Sequence, residues 1–513
     1  MNDNKENGVE LTNTEKNCDT ANVKSEVKEE PPVSWSERIK KLANWFTVEP
    51  CLILYFLALI VGNIAIEQLN QEKACRSYLN YNETICTDII KNLKNDNRTN
   101  ELRTEIIIAV NDIKAWQYPM QKGIPGILVP FIGAWSDRTG NRKVLIMMPV
   151  IGEIISNCGL FFTTYYFVEW PLWLTALIES LPTALSGGFS ILLLGVFSYI
   201  ADVTTAEART FRMGMLAIIV PLCSIFGQSI NGILLNAVGY YGVFTIILAL
   251  HSFALIYIYI RIYDIRNEAT EGTFIAKLIS FFNPYNIWDT ISLVIVIPLQ
   301  QRIRVILLLC AFVFITGPIE AKGLLVYGYQ THRYLMSAVE ISMFNTYATL
   351  LGIAGTTVAI TVFSKYLKMH DSFLGIIGTG CKIVSCVVYG LAPTKQWFFA
   401  GPAFDIFGNV GVTAVKSIGT KVVDPDKVGK MLSLFGLTES LQTLAFVPLF
   451  SRIYTNTINT LPGAIFFLAS ILTLPAFIIF GILYYVQKKQ ERDVVENPAE
   501  KEKHAYDNDV TAL

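Results

Sequence analysis

Charge is what this sequence is short of. Asp, Glu, Lys and Arg make up 16% of its 513 residues, against about 25% in a typical soluble chain. Hydrophobic residues reach 52% and the mean hydropathy is +0.43, so lipid is the expected solvent. The net charge of -1 excludes a general nucleic-acid or polyanion binder, and no nucleic-acid partner is expected. No nucleotide-binding loop is present, which excludes a primary pump. No paired His and Asp or Ser-centred constellation marks an enzyme, and no zinc-type cysteine spacing occurs, so no metal or cofactor is expected. The chain also lacks the basic start, apolar core and small-residue cleavage site of a secretory signal. The first apolar segment is therefore expected to insert the protein itself.

What is there is a series of long apolar runs. A bilayer core takes about 20 apolar residues per helix, and runs of that kind begin near residues 50, 109, 144, 171, 213, 241, 303, 338, 372, 397, 431 and 462. Twelve spans follow. Asp112, Lys114 and Lys122 interrupt the second, and Ser and Thr dilute the eighth. A polar stretch between Arg261 and Arg304 divides six spans from six, and within it residues 287–299 are apolar but too short to cross, which suits an interfacial elbow. The expected organisation is a disordered cytosolic tail over 1–49, a six-helix bundle over 50–262, a cytosolic linker over 263–302, a second six-helix bundle over 303–486 and a tail over 487–513. Seven basic and ten acidic residues crowd the first tail, which fits disorder.

Basic residues orient the bundle. With the N-terminus in the cytosol, the inner connections hold Arg138, Arg142, Lys143, Arg209, Arg212, Lys365, Lys368, Lys421, Lys427 and Lys430, whereas the short outer loops hold only Arg333 and Lys395. Both tails are then cytosolic and the segment from about Leu69 to Arg103 lies outside. That segment carries two glycosylation acceptors, Asn82 and Asn97, and two cysteines, Cys75 and Cys86, in an oxidising compartment. The cysteines at 51, 158, 223, 310, 381 and 386 lie in apolar runs, where a thiol packs as a small hydrophobe.

The connection between the second and third spans reads Gly133-Ala134-Trp135-Ser136-Asp137-Arg138-Thr139-Gly140-Asn141-Arg142-Lys143. A tight glycine turn there presents an acid and several cations where ion pairs and helix-end charge can lock two halves together. Ordinary positive-inside topology would account for the basic residues alone, but not for the whole spacing. This stretch closely resembles the signature of the major facilitator superfamily. A second stretch, Ala201-Asp202-Val203 followed by Arg209-Thr210-Phe211-Arg212-Met213, is similar to solute carrier family 46, the proton-coupled folate transporter family, which includes muropeptide carriers. The resemblance implies a twelve-helix, all-α membrane protein of the major facilitator fold, with gating residues Gly133, Asp137, Arg138, Gly140, Arg142, Asp202, Arg209 and Arg212. The folate carrier has a glutamate at the position of Ala217, an aspartate at that of Gly188 and a histidine near Pro318, so its proton and folate groups do not carry over. It also has an outer cysteine in the second half that is missing here, which leaves Cys75 and Cys86 to pair with one another.

Ionisable residues inside a span cost about 2.5 to 3.5 kcal/mol each and usually face a cavity or a partner. In the implied fold the first, fourth, seventh and tenth helices line a central cavity. Glu179, Glu320, Lys322, Asp405 and Lys416 lie on these helices and, with Glu439 on the eleventh, form the expected substrate or proton pathway. Glu320 and Lys322 stand two apart on a helix and do not face one another. Lys416 either attracts a substrate carboxylate or snorkels toward the cytosol. Glu67, near an outer end, reads as snorkelling to water. Glu153 and Lys382, on peripheral helices, read as structural pairs, and His251 as a packing residue. The expected function is secondary active transport of a small organic anion, folate-like or muropeptide-like, by alternating access with protons as coupling ion. The alternative is a non-transporting receptor or adaptor that keeps the fold. The expected location is the plasma membrane or the lysosomal membrane, in contact with lipid.

Overall fold

A computed structural model describes residues 47–91, 96–204, 206–264, 297–423 and 428–496. Residues 1–46 of the expected first tail (1–49), residues 497–513 of the expected last tail (487–513), and all but the ends of the expected linker and elbow lie outside these residues. Every described element is helical. In chain order they are α1 (Glu49–Lys73, continued by a π turn, Ala74–Tyr78), α2 (Glu83–Ile90), α3 (Asn97–Thr139), α4 (Arg142–Tyr165), α5 (Leu172–Leu185), α6 (Gly188–Val203), α7 (Ala206–Arg261), α8 (Leu299–Arg333), α9 (Ala338–Val358, continued by a π turn, Ala359–Tyr366), α10 (Asp371–Leu391), α11 (Lys395–Phe404), α12 (Val410–Val422), α13 (Val428–Thr457) and α14 (Ala464–Glu496).

Among the described residues, nine helical stretches are long and apolar enough to cross a membrane. That number is consistent with twelve crossings for local reasons. α7 counts once but turns at Gly239, whose φ of 64° and ψ of -173° suit glycine alone. Its two arms are the fifth and sixth spans. α11 and α12 make one crossing interrupted by a turn over 405–409. α3 is diluted by charge, as Asp112, Lys114 and Lys122 foretold.

The outer segment differs from the loop expected between Leu69 and Arg103. Helix continues on both sides, and α2 forms between them because Asn82 caps it by accepting from the Thr84 amide. Asp96 caps α3 by accepting from the Thr99 amide, which lengthens that helix outward to Asn97. At the other end α14 runs to Glu496, ten residues beyond the expected boundary at 486.

Three core clusters show how the helices meet. One runs without a break through both halves, from Ala58 to Leu69 on α1, through Leu235 to Ile247 on α7, to Ala321, Leu325 and Tyr329 on α8 and Val447 to Tyr454 on α13. This cluster lies toward the end that carries Cys75 and Cys86. At the opposite end there are two separate clusters. One joins Val48 to Phe56, at the start of α1, with Ala254 and Ile258 on α7, and the other joins Val305 to Ile315 on α8 with Met431 and Phe480. In lipid the gain from such contacts is close packing and not water exclusion, so small residues sit where helices approach. A Cβ on Gly232 of α7 would lie 2.4 Å from the Ala338 carbonyl oxygen of α9. Large apolar side chains such as Phe162, Phe226, Phe253, Ile260 and Ile478 remain exposed on the outside, where acyl chains would cover them.

Candidate functional site

Polar groups cross between the halves within the shared cluster. Lys114 of α3 donates to Glu67 of α1 at 2.7 Å and to the Leu324 carbonyl of α8 at 3.2 Å. One turn along α3, Tyr118 donates to Glu320 of α8 at 2.8 Å. Glu439 of α13 acts electrostatically on the same tyrosine. Nearer the disulfide, Gln71 donates to Thr331 at 3.3 Å and the Thr104 hydroxyl lies 3.0 Å from His332 Nε2. Ser451 of α13 donates to the Asn111 carbonyl at 2.9 Å. Glu67 therefore does not snorkel to water, because a cation on the neighbouring helix reaches it first. Toward the other end, α7 and α9 part around a cleft of about 690 Å³ lined by Ile218, Leu222, Thr349, Thr356 and Asn409.

The remaining expected pathway residues are dispersed. Lys322 is buried in the second half, its ammonium 3.6 Å from Cys386 Sγ and above the rings of Tyr389 and Phe466. It faces α10 and α14, while Glu320 faces α3. Asp405, in the turn between α11 and α12, pairs with Lys382 at 2.6 Å, and its other carboxylate oxygen is buried without a partner. Lys416 of α12 lies over the Phe312 ring at 5.4 Å. Both Lys322 and Lys416 lack an ion-pair partner among the described residues.

Glu179 of α5 accepts from Asn70 at 3.4 Å and lines an 80 Å³ cavity inside the first half. Glu153 of α4 and His251 of α7 line the same cavity. The implied fold placed α4 and the second arm of α7 at the periphery, and side chains on the inner faces of both converge on this cavity. Glu153 accepts from Tyr55 at 3.5 Å. His251 is fully buried, packs edge-on against Tyr55, and has no side-chain hydrogen-bond partner; only the Ile247 carbonyl of its own helix is near one ring nitrogen.

Among the expected gating residues, Gly133 lies in α3 and Gly140 ends it in the left-handed region at φ 72°. Arg142 binds Asp202 at 2.9 Å and Ser136 at 2.8 Å, tying the start of α4 to the ends of α6 and α3. Arg212 forks onto Glu49 at 2.9 and 3.1 Å, with side chains 6% and 1% exposed. These pairs join helices of the first half to each other, and at this end α7 and α9 part around the cleft described above. Glu49, expected in the tail, was missed because a single acid at the edge of an apolar run looks like a boundary. Asp137, Arg138 and Arg209 belong to α3 and α7, but their side chains lie outside the described residues. At the opposite end Cys75 and Cys86 form a disulfide, and Asn82 and Asn97 are both exposed.

A membrane-embedded helical protein whose halves close over ionisable groups at one end and part at the other has the architecture of a transporter. The chain belongs to the Major Facilitator Superfamily, whose family model matches residues 123–441. It is similar to the proton-coupled folate transporter of Rattus norvegicus, with 25% identity over 90% of this chain and 97% of the relative. It is equally similar, at 25% identity over 86% and 93%, to the lysosomal proton-coupled steroid conjugate and bile acid symporter SLC46A3 of Gallus gallus. Among solved structures, a D-xylose-proton symporter shares the fold with a TM-score of 0.59, 14% identity and coverage of 86% of this chain and 97% of that one. The resemblance to solute carrier family 46 thus extends over most of the chain.

Proposed function

We propose that the protein is a secondary active transporter that moves a small organic anion by alternating access, coupled to protons. The observation that carries this reading is the one-sided closure. Lys114 and Tyr118 bond across to the Leu324 carbonyl and to Glu320 at one end, so parting the halves there frees the Glu320 carboxylate and exposes the Lys114–Glu67 pair in a polar interface. A cargo that competes for such groups is favoured if it is charged, because attraction strengthens where the effective dielectric falls below that of water. Lys322 and Lys416, resting on aromatic faces, are further cations for a carboxylate. Two relatives are named for carrying folate and bile acids, which are organic acids, and both are named proton-coupled. In this reading both tails face the cytosol, the closed end faces the outside or the lysosomal lumen, and the Gly133 to Lys143 segment gates the cytosolic end.

Uptake into proteoliposomes bearing the purified chain tests it. Labelled folate, a bile acid and a muropeptide are offered with and without an acid-side proton gradient. Gradient-driven accumulation of at least one, abolished by a protonophore, is expected. If folded protein accumulates none of them under any gradient, the proton-coupled organic-anion reading falls.

A further inference from the structure

We propose that the 80 Å³ cavity enclosed by the first half is a proton-binding chamber in which Glu153 and Glu179 share one proton, with His251 as the group that relays it. All of the chamber's lining belongs to the first half. Its polar lining comes from four helices: Gln121 of α3, Glu153, Ser156 and Asn157 of α4, Glu179 and Thr183 of α5 and His251 of α7. A cavity of this size has room for one or more waters, and its lining offers them the polar partners that ordered water needs.

The charge balance is the first argument. Two carboxylates on adjacent helices face one enclosure, and among the described residues no lysine or arginine lines it. The groups acting on the pair from the surrounding elements are Tyr55 and Glu67 of α1, Gln117 and Lys114 of α3, and Asn70 of α1. Lys114 is the only cation in that set, and it is already held by Glu67. Two like charges in a low-dielectric enclosure cannot both persist without a compensating positive charge.

The second argument is independent of the acids. A buried imidazole has one N–H donor and one lone pair to satisfy, and leaving either unmet is costly. His251 lines the cavity with no side-chain partner and only the Ile247 carbonyl of its own helix near one nitrogen, so the partner missing from the other nitrogen belongs in the chamber. Ser156 and Asn157 are already committed: they donate to the Glu179 and Glu153 carbonyls at 2.8 and 2.7 Å. Glu153 and Glu179 each keep acceptor capacity beyond the single bonds from Tyr55 and Asn70, and with the imidazole they form a set through which a proton can hop. Among the described residues no three His, Cys, Asp or Glu side chains stand close enough to hold a metal ion, which disfavours a divalent cation. In the binding step a hydronium ion on the open side gives up a proton, its O–H bond breaking to leave water, and a new O–H bond forms to one carboxylate oxygen, so that the second carboxylate remains as acceptor and the pair carries a net charge of minus one.

The coupling role of this chamber rests on the transport reading, but the binding does not, and it can be read without cargo. Infrared difference spectra of the purified chain in nanodiscs, taken as pH is varied, report the protonated-carboxyl C=O stretch. A titrating band is expected that is lost in both Glu153→Gln and Glu179→Gln and whose midpoint shifts in His251→Asn. Sodium chloride in place of choline chloride at fixed pH should leave it unchanged. A band that survives both glutamine variants overturns the proposal, and a band abolished by sodium assigns the chamber to an alkali cation instead. Where a glutamine variant does not fold, Glu153→Asp must move the midpoint, and an unmoved midpoint overturns the proposal as well. Failure of uptake with the band intact would sink the transport reading and leave the chamber standing.

Discussion

Lys416 carries a charge that no described acid neutralises, and the Phe312 ring beneath it is a weak substitute, worth about 0.5 to 2 kcal/mol. If it receives a cargo carboxylate, Lys416→Ala should raise the apparent KM for an anionic substrate by about tenfold, equivalent to ~1.4 kcal/mol, while Lys416→Arg keeps part of the activity. Unchanged kinetics in the alanine variant would remove it from the site. Tyr81, in the outer segment, offers a different test. Its hydroxyl donates to the Glu105 carboxylate, and that bond holds the phenol up to about 12 against an ordinary value of 10.0. Because the folded value is the higher one, the stabilisation is complete below about pH 10 and is lost as pH rises through 12. Melting curves of wild type and Tyr81→Phe should therefore differ at about pH 8 to 9 and converge at strongly alkaline pH. The pair is largely exposed, so the difference should be small.

At the scale of elements, the ends of the first half opposite the disulfide are held by two ion pairs of unequal burial. Glu49 and Arg212 join α1 to α7 almost out of reach of solvent. Arg212→Ala would leave Glu49 buried and alone, at a cost of about 3 to 5 kcal/mol, seen as a lower melting temperature in detergent. Combining Glu49→Gln with Arg212→Met should recover much of that loss. Arg142 and Asp202 join α4 to α6, with Asp202 41% exposed, so their contribution to stability is small. Arg142→Ala should leave the amount of folded protein nearly unchanged and lower maximal uptake more than apparent affinity, as expected of a group that steadies a moving end. An unaltered maximal rate would exclude the gating role. The proline and glycine breaks and the two N-caps at Asn82 and Asp96 all follow from local sequence, whereas the choice of partner for each charge does not.

For the whole molecule, the decisive feature is that one core cluster spans both halves at the disulfide end while each half has its own at the other. Gly232 is a point of close approach in that closure. Gly232→Val should wedge α7 from α9, so that a cysteine placed at Thr331 reacts several times faster with an impermeant thiol reagent, and uptake falls. An unchanged labelling rate would show that the closure tolerates the side chain. The twelve-span, all-helical membrane architecture was legible in the sequence, because a bilayer forces backbone groups to pair within each apolar run and leaves the runs visible one by one. So were the signature segment with Arg142 and Asp202, and the cysteines at 75 and 86. What the sequence could not disclose is which faces meet. Glu67 with Lys114, Tyr118 with Glu320, and Glu153 with Glu179 and His251 are separated by 26 to 202 positions. Their meeting depends on the rotation of each helix about its own axis. That rotation is set by packing against neighbours of similar hydrophobicity, where no apolar stripe distinguishes a lipid-facing side from a buried one. The length of the apolar runs therefore determined the number and order of the spans, and only the tertiary structure decided where α3 and α14 end and which acidic side chains line one cavity.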